Sequence, residues 1–252
     1  MVLPRMPSFR LDGKRALVAG GSRGIGLACA AALADAGADV AIAARDQQRV
    51  AEVVEALRAN GCRASGRSVD VTDLERVKQY FAEEGPFDVL VNSAGMARHS
   101  EALETSVADY DAVMNLNVKS AYFVAAEAAR GMQNGGGSII QLSSQMGLVG
   151  GNRRTVYCAS KHAVEGMTKA MAIEWAPDNI RVNSICPTFI RTEFTQRTLS
   201  NPERLARIRS MIKLGRVGRS NDIMGAVVFL ASEASSLITG THIVIDGGWT
   251  AE

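Results

Sequence analysis

Tyr157 and Lys161 are the residues whose types and spacing suggest chemistry most directly. Four positions apart, they would lie on one face of a helix, one turn from each other. A tyrosine hydroxyl titrates near ~10, so it serves as an acid–base catalyst at neutral pH only if a neighbouring cation lowers its pKa. Ser144 follows the apolar run 137–142 and could hold a carbonyl or alcohol oxygen. Because a Tyr–Lys pair at this spacing is common, its meaning depends on the rest of the chain.

The elements that would position these residues alternate regularly along the chain. Short apolar runs closed by glycine or polar residues predict strands at 14–19, 40–44, up to 68–71, 87–91, 138–142, 181–185 and 242–245. Amphipathic or alanine-rich runs predict helices at 27–36, 46–60, from a capping box at 72–75, at 106–132, around Tyr157, from a cap at 200–203, and at 220–231.

This alternation predicts an α/β fold, a Rossmann-type doubly wound parallel sheet with helices on both faces. No linker, repeat or low-complexity tract divides the chain. Residues 1–252 are therefore predicted to form a single domain, with an N-terminal tail at 1–12 and a substrate-side insertion at 188–215.

Composition excludes several classes of function. The 28 basic and 26 acidic residues leave a formal net charge of +2, which offers no footprint for nucleic acid or an anionic membrane. Three well-separated histidines have no metal-ligand spacing, so no metal site is expected. Four cysteines without CxxC spacing, the lack of a secretory h-region and the lack of an apolar run of ~18 residues favour a cytoplasmic protein with free thiols.

A glycine-rich stretch between the first predicted strand and the first predicted helix indicates a nucleotide site. Its glycines permit a tight turn and a close approach of the backbone to a pyrophosphate, and the helix start adds free N–H groups. The spacing is GxxxGxG rather than the more common GxGxxG, and the alternative is a turn that binds nothing. The stretch comprises Gly20, Ser22, Arg23, Gly24, Ile25 and Gly26.

The end of the second predicted strand should distinguish NAD from NADP. An acidic side chain there would hold the ribose 2′-hydroxyl of NAD, whereas arginine accommodates the 2′-phosphate of NADP. Arg45 follows the strand, and Arg23 in the glycine stretch is a second cation. Asp46 is the competing residue, but its position favours the N-cap of the next helix. The pattern therefore favours NADP(H) over NAD(H).

Taken together, the chain resembles the short-chain dehydrogenases/reductases from residue 14 to residue 248. The resemblance is specific because separate motifs occur in the expected order. These are Gly20-xxx-Gly24-x-Gly26, Asp70-Val71, Asn92-Ser-Ala-Gly95, Asn117, Ser144, Tyr157-xxx-Lys161, Pro187…Thr192 and Asp246-Gly-Gly248.

The resemblance implies a role for each matching residue. Asp70 and Val71 would hold the adenine; Asn92, Ala94 and Gly95 would line the ribose; Pro187, Ile190 and Thr192 would position the nicotinamide carboxamide. The family's catalytic tetrad falls on Asn117, Ser144, Tyr157 and Lys161, with Tyr157 and Lys161 also touching the cofactor. Asn117 would bind a proton-relaying water. Thr188 departs from the glycine usual after Pro187, which makes that loop harder to predict.

Substrate residues are expected beside the tetrad, namely Ser144, Met146, Arg154 and Tyr157. Arg98, His99, Arg153 and Arg154 would make the rim cationic, which suits a polyol, a sugar-derived ketone or an anionic carbonyl; the alternative is a solvated basic surface. The chain looks most like the polyol dehydrogenases, so the expected substrate is a small polar molecule that cycles between secondary alcohol and ketone.

Two other functions remain open at this point: a 3-oxoacyl-[acyl-carrier-protein] reductase and a non-catalytic NADP-binding sensor. The intact tetrad argues against the sensor. Small and apolar residues exceed what one sheet face needs on the helices at 102–132 and around Tyr157. Core packing is one explanation; the family resemblance favours pairing of these helices between subunits and so implies a homotetramer, with no nucleic-acid or membrane partner expected. Those residues are Ala121, Ala125, Ala128, Ala129, Ala163, Met167, Ala170 and Met171.

Overall fold

A computed structural model of the protein describes residues 1–251. Its centre is one parallel sheet of seven strands in the order β3-β2-β1-β4-β5-β6-β7. The predicted fold class is confirmed. The strands are β1 Arg15–Ala19, β2 Asp39–Ala44, β3 Ala64–Ser68, β4 Val89–Asn92, β5 Gly137–Leu142, β6 Ile180–Pro187 and β7 His242–Ile245.

Helices cover both faces of this sheet. They are α1 Gly24–Asp35, α2 Gln47–Ala59, α3 Leu74–Glu84, α4 Val107–Met114, α5 Ala121–Met132, α6 Thr155–Trp175, α7 Glu193–Leu199, α8 Pro202–Met211 and α9 Asn221–Ala231. The continuous helix predicted at 106–132 is instead α4 and α5 joined by a π-helical segment, Asn115–Ser120. A π-helical turn gives no distinctive hydrophobic period, so the sequence pattern could not reveal it.

Alternate residues of each central strand enter two different hydrophobic cores. In β1, Ala16 and Val18 pack under α1, α2 and α9, whereas Leu17 and Ala19 pack under α3, α5 and α6. Side chains of a strand point to opposite faces in turn, so a strand covered by helices on both sides must be apolar throughout. This requirement explains why the strands are continuous apolar runs in the sequence.

Two helix starts differ from their predictions by one residue. Asp73, rather than Thr72, caps α3, because its carboxylate accepts from the Arg76 N–H at 3.1 Å. Thr72 donates its hydroxyl to Asp70 instead. Likewise Asn201, rather than Ser200, caps α8 through the Arg204 N–H at 2.9 Å. In both cases two candidate caps are adjacent in the sequence, and only the backbone path decides between them.

The tail and the insertion have different characters. Residues 1–10 carry no helix or strand and are exposed, and the chain becomes buried at Leu11. The 188–215 region forms α7 and α8, whose apolar residues pack on Val217 and Trp249 in a small third core. Within residues 1–251 no helix is both long enough and apolar enough to cross a membrane.

Candidate active site

The carboxyl ends of β1 and β4 mark the point where the sheet order changes direction, and a cleft of about 610 Å³ opens there. Connections leaving neighbouring strands toward opposite faces open such a crevice, where ligands of open α/β sheets bind. Nearly all the predicted site residues line this cleft: Gly20, Ser22, Arg23, Gly24, Ile25, Gly26, Arg45, Asp70, Val71, Ala94, Gly95, Ser144, Met146, Arg154, Tyr157, Lys161, Pro187, Ile190 and Thr192.

The glycine stretch forms the floor of the cleft between β1 and α1. Gly20 has φ +79°, and a Cβ there would lie 2.8 Å from the Ala94 nitrogen. A Cβ at Gly26 would lie 2.2 Å from the Gly20 carbonyl oxygen, so the start of α1 can approach the loop only because both residues are glycine. The free N–H groups at the start of α1 therefore border an open cradle that fits a pyrophosphate.

Two cations border the end of the cleft beside β2. Arg23 and Arg45 are exposed, and neither has an acidic partner among residues 1–251. Asp46 turns away from this role, because its carboxylate accepts from the Arg49 N–H at 3.1 Å and so caps α2, as the sequence predicted. Unpaired guanidiniums at this position fit the chemistry of a 2′-phosphate.

Asn92 does not line the cleft, contrary to the prediction. It is 4% exposed, and its Nδ2 donates to the Ala121 carbonyl at 3.0 Å. This amide therefore ties the end of β4 to the first turn of α5, next to the π-helical segment. Ser93, Ala94 and Gly95 form the wall of the cleft in its place.

Asn117 lies in the π-helical segment and is also outside the cleft lining. Its Oδ1 accepts from the Met96 N–H at 2.8 Å, while its Nδ2 donates to the Met96 carbonyl and to Ser160 Oγ. These contacts use both N–H donors of the amide and one of the two lone pairs of Oδ1, so the binding of a water at Asn117 stays a prediction. The amide joins the β4 loop to α6 one residue before Lys161.

Tyr157, Lys161 and Ser144 converge as their spacing predicts. Lys161 Nζ is 5.8 Å from the centre of the Tyr157 ring and donates to the Leu142 carbonyl at 2.7 Å. Gly95 borders this ammonium, because a Cβ there would lie 3.8 Å from Lys161 Nζ, an ordinary van der Waals distance. Ser144 lies just after β5, is 6% exposed, and is hydrogen-bonded to the Tyr157 hydroxyl.

The electrostatics of this trio differ from the expectation in one respect. Burial raises the pKa of Tyr157, while the Ser144 hydrogen bond and the Arg154 charge oppose it only in part. In this arrangement the Lys161 ammonium donates to the Leu142 carbonyl rather than to the phenol, and it lies beside the Tyr157 ring. Burial also lowers the pKa of Lys161 to about 8, with Cys186 and Glu165 acting to raise it.

A polar chain that the sequence did not single out fixes Ser144. Its hydroxyl donates to Gln145 Oε1 at 2.9 Å, and Gln145 Nε2 donates to Thr188 Oγ1 at 3.0 Å. The departure at Thr188 therefore supplies the hydroxyl that anchors Gln145. The sequence does contain Gln after Ser144 and Thr after Pro187. Their pairing could not be predicted, however, because only the folded chain brings these two segments together.

A second missed feature is an ion pair at the outer edge of the cleft. Arg49 on α2 meets Glu193 at the start of α7, with Arg49 Nη1 2.9 Å from Glu193 Oε2. The residues are far apart in sequence, so no local pattern predicts the pair. It connects the insertion to the wall of the cleft beside Arg45.

The four basic residues predicted at the rim separate into two kinds. Arg98 pairs with Asp109, and Arg153 lies 3.6 Å from Glu101, so both belong to the solvated surface. Arg154 and His99 line the cleft itself and contact each other, Nη1 to Nε2, at 3.1 Å. Residues 1–251 hold no cluster of three or more His, Cys, Asp or Glu side chains able to bind a metal.

Comparison with known proteins agrees with this geometry. The family model described as Enoyl-(Acyl carrier protein) reductase matches residues 19–250. The 2-dehydro-3-deoxy-D-gluconate 5-dehydrogenase of Escherichia coli strain K12 is 40% identical over 252 residues, covering 98% of this chain and 99% of that protein. The chain belongs to the short-chain dehydrogenase/reductase family.

Two further members of this dehydrogenase/reductase family are similar over nearly the whole chain. The D-threitol dehydrogenase of Mycolicibacterium smegmatis is 41% identical over 251 residues, covering 96% of this chain and 95% of that one. A crystal structure from Agrobacterium tumefaciens, proposed to be a 2-deoxy-D-gluconate 3-dehydrogenase, contains bound NADP. It superposes with a TM-score of 0.92 at 38% identity, covering 97% of this chain and 99% of that one.

Family membership and the cleft together define the reaction class. The chain is an oxidoreductase of the short-chain dehydrogenase/reductase type that acts on CH–OH groups with a nicotinamide dinucleotide. The cofactor fits residues that the structure brings together: the glycine cradle at one end, and Tyr157 with Lys161 at the other.

Proposed function

We propose that this enzyme interconverts a secondary alcohol and a ketone on a small polyhydroxylated, sugar-derived molecule, with NADP(H) as its cofactor. The observation that carries the proposal is the continuity of one cleft, which joins an unpaired arginine pair to Tyr157 and Ser144. Similarity to dehydrogenases of a deoxy-sugar acid and of threitol supports the substrate class.

In this proposal the chain's own residues move the proton and hold the reacting oxygen. The bound nicotinamide supplies a hydride to the carbonyl carbon, or takes it back in oxidation. Tyr157 donates its hydroxyl proton to the substrate oxygen in reduction and receives it in oxidation. Ser144 turns its hydroxyl hydrogen from Gln145 to the same oxygen, and Lys161 binds ribose hydroxyls and stabilises the phenolate.

The remaining residues bind or position. Gly20, Ser22, Gly24, Ile25 and Gly26 hold the pyrophosphate. The other assignments follow the cleft lining: Asp70 and Val71 at the adenine, Ala94 and Gly95 at the ribose, Pro187, Ile190 and Thr192 at the carboxamide, and Met146 and Arg154 at the substrate. Asn92 and Asn117 act by positioning β4, α5 and α6 around Lys161.

Preference for NADP follows from charge at the β2 end of the cleft. Arg23 and Arg45 would each give a charge-assisted hydrogen bond to the 2′-phosphate, worth ~1.5–3 kcal/mol. Arg45→Gln should therefore raise the KM for NADP by roughly tenfold or more while leaving the KM for NAD within about twofold. Steady-state kinetics with both cofactors tests this. An equal effect on NAD would show that Arg45 acts through the loop rather than the phosphate.

Assembly and location complete the proposal. We expect a single-domain subunit with a tail at 1–12, a substrate-side segment at 188–215 and a homotetrameric, cytoplasmic form. Support for assembly comes from large apolar side chains left exposed on α4 and α5, and support for a reducing compartment comes from four free cysteines, three of them buried.

The reaction class and the substrate class are tested by one assay. Absorbance at 340 nm should rise as alditols or aldonates reduce NADP, and it should fall little or not at all when acetoacetyl thioesters are supplied with NADPH. Tyr157→Phe should lower kcat by ~10²–10⁴-fold and leave the dissociation constant for NADP unchanged. Turnover of the thioesters alone would identify an acyl reductase, and a wild-type protein that binds NADP without any turnover would identify a sensor.

A further inference from the structure

The relatives differ in the charge of what they act on. One is named for 2-dehydro-3-deoxy-D-gluconate, which carries a carboxylate, and another for D-threitol, which is neutral. Whether the cleft of this chain suits a charged or a neutral substrate depends on which of its basic side chains are already paired with a carboxylate. Of the four basic residues near the rim, Arg98 and Arg153 are neutralised by Asp109 and Glu101.

Arg154 is different, because no carboxylate of residues 1–251 pairs with it. Its guanidinium stacks over the Phe189 ring, with Cζ 5.2 Å from the ring centre. One side-chain nitrogen, Nη1, donates to His99 Nε2 at 3.1 Å. Burial, with the nearby Arg154 charge, lowers the pKa of His99 to about 4, so near pH 7 its neutral ring can accept this hydrogen bond and brings no negative charge to Arg154.

The contacts of Arg154 hold its guanidinium group in place but leave most of its N–H donors without a hydrogen-bond partner in the described part of the chain. A guanidinium has five N–H donors, and one of them is used on His99. The ring of Phe189 fixes its plane from one side, and His99 in turn packs edge-on against Tyr157 at 6.0 Å between ring centres. Holding a rotamer-rich side chain in advance removes part of the entropy cost of binding.

The local backbone also places Arg154 in the cleft. Arg153 adopts a left-handed φ of +60°, which is unfavourable for a residue with a Cβ. That turn precedes α6, and Arg154 stands at the helix N-cap, three residues before Tyr157. Arg154 and Tyr157 line the same cleft, so one substrate molecule can present its reacting oxygen to Tyr157 and a second group to Arg154.

We propose that Arg154 binds the carboxylate of the substrate, so that the enzyme is selective for sugar acids over neutral polyols. The inference rests on the proposed function, because it concerns the same cleft. A half-buried cation beside a reacting centre is unfavourable unless it is paired, and a carboxylate matches the planar fork in a bidentate manner. Lowering of the pKa of Arg154 by burial is consistent with this need for an anion.

The test compares a sugar acid with its neutral counterpart. D-gluconate and D-glucitol share chain length and hydroxyl configuration and differ at the end that carries the carboxylate. Wild-type enzyme should oxidise the acid with kcat/KM at least tenfold higher than the alcohol, roughly the effect of one hydrogen bond to a charged group. Arg154→Gln should raise KM for gluconate by about tenfold or more, and it should lower kcat/KM for gluconate at least tenfold more than it lowers kcat/KM for glucitol.

Arg153→Gln is the matched control, since it removes the same charge one residue away. That side chain is exposed and paired with Glu101, so its loss should change neither substrate's KM. Arg154→Lys should recover part of the gluconate affinity, because it restores charge without the fork. An unchanged dissociation constant for NADP in each variant shows that the cleft is intact.

The outcomes separate the inference from the proposed function. Carboxylate binding by Arg154 would be overturned if Arg154→Gln lowered kcat/KM equally for gluconate and glucitol. It would also be overturned if Arg153→Gln lowered kcat/KM for gluconate as much as Arg154→Gln does. Either result would leave the proposed polyol oxidoreductase activity unaffected. Preference of the wild-type enzyme for glucitol would also overturn carboxylate binding. Absence of turnover with either substrate and with 2-dehydro-3-deoxy-D-gluconate would instead refute the proposed function itself.

Discussion

Lys161 has a buried acidic neighbour that the reaction does not use. Glu165 lies one helical turn further along α6 and is 6% exposed. It accepts from Ser184 Oγ at 2.8 Å, from Cys186 Sγ at 3.4 Å, and lies 3.4 Å from His242 Nδ1. The titratable groups around the lysine are thus Tyr157 on its catalytic side and Glu165 with Cys186 behind it. The carboxylate raises the pKa of Lys161 against the effect of burial.

Glu165→Gln should therefore shift the alkaline limb of the reduction profile to lower pH. A group buried without its counter-charge gives up its proton more easily, so the pKa of Lys161 falls below its value of about 8. Loss of the ammonium then removes the support of the Tyr157 phenolate at a lower pH. Initial rates of reduction with NADPH from pH 6 to 10 give the measurement.

Glu165→Asp provides the control, because it keeps the charge and shortens the side chain. Its alkaline limb should stay close to that of the wild type even if kcat falls through altered packing. If both variants shift the limb equally, the effect comes from packing around α6 rather than from charge. An unshifted limb in Glu165→Gln would rule out an electrostatic role for this carboxylate.

At the scale of elements, the β1–α1 loop needs glycine at position 20 for two reasons: a positive φ, and the lack of space for a Cβ. Gly20 and Gly61 have nearly equal φ values, +79° and +80°, but a Cβ at Gly61 meets nothing within 4 Å. Gly61→Ala should therefore cost ~1 kcal/mol from backbone strain alone. Gly20→Ala adds a clash with the Ala94 backbone and should cost a further ~1–3 kcal/mol.

Urea unfolding of the two alanine variants separates these contributions. Gly20→Ala should also weaken NADP binding in a fluorescence titration, because the loop must move away from Ala94 to admit the methyl group. Gly61, at the end of α2, lies outside the cleft, so its variant should bind NADP as the wild type does. If both variants lose the same free energy of unfolding, the loop at Gly20 moves away from Ala94 without an energetic penalty.

Sequence patterns revealed the parts of this molecule that depend on local order along the chain. The glycine cradle, the apolar strands, the cap at Asp46 and the Tyr157–Lys161 turn each follow from neighbours in sequence. Contacts between distant segments could not be found this way. Thr188 with Gln145, Arg49 with Glu193 and the inward-turned Asn92 become visible only once the sheet brings their elements together.

At the scale of the whole molecule, five of the eight helix residues behind the predicted assembly lie in the core, as the alternative of core packing requires. Ala121, Ala125, Ala128 and Ala129 are buried in the core under α3, α5 and α6, as is Met171. These five fill the sheet face, whereas Ala163 and Met167 on α6 are half-buried and Ala170 is exposed. Apolar side chains that do reach the surface of α5 are larger: Tyr122 and Phe123 are 46% and 39% exposed and pack edge-to-face at 5.2 Å.

Exposed aromatics on one helix, next to exposed Val107 and Tyr110 on α4, give a surface suited to a second copy of the chain. Phe123→Lys should therefore lower the mass measured by light scattering from near four times 26.8 kDa to that of a smaller assembly. Burying an unpaired ammonium in an apolar interface is strongly unfavourable, whereas an exposed lysine is tolerated.

Ala59→Lys is the matched control for this last prediction. It adds the same charge at an exposed position on α2, which packs on the opposite face of the sheet from α5. Its mass should remain that of the wild type. A wild-type mass near 26.8 kDa would contradict the homotetramer outright. A tetramer that survives Phe123→Lys would move the interface away from α5, and the exposed aromatic pair would then need another explanation.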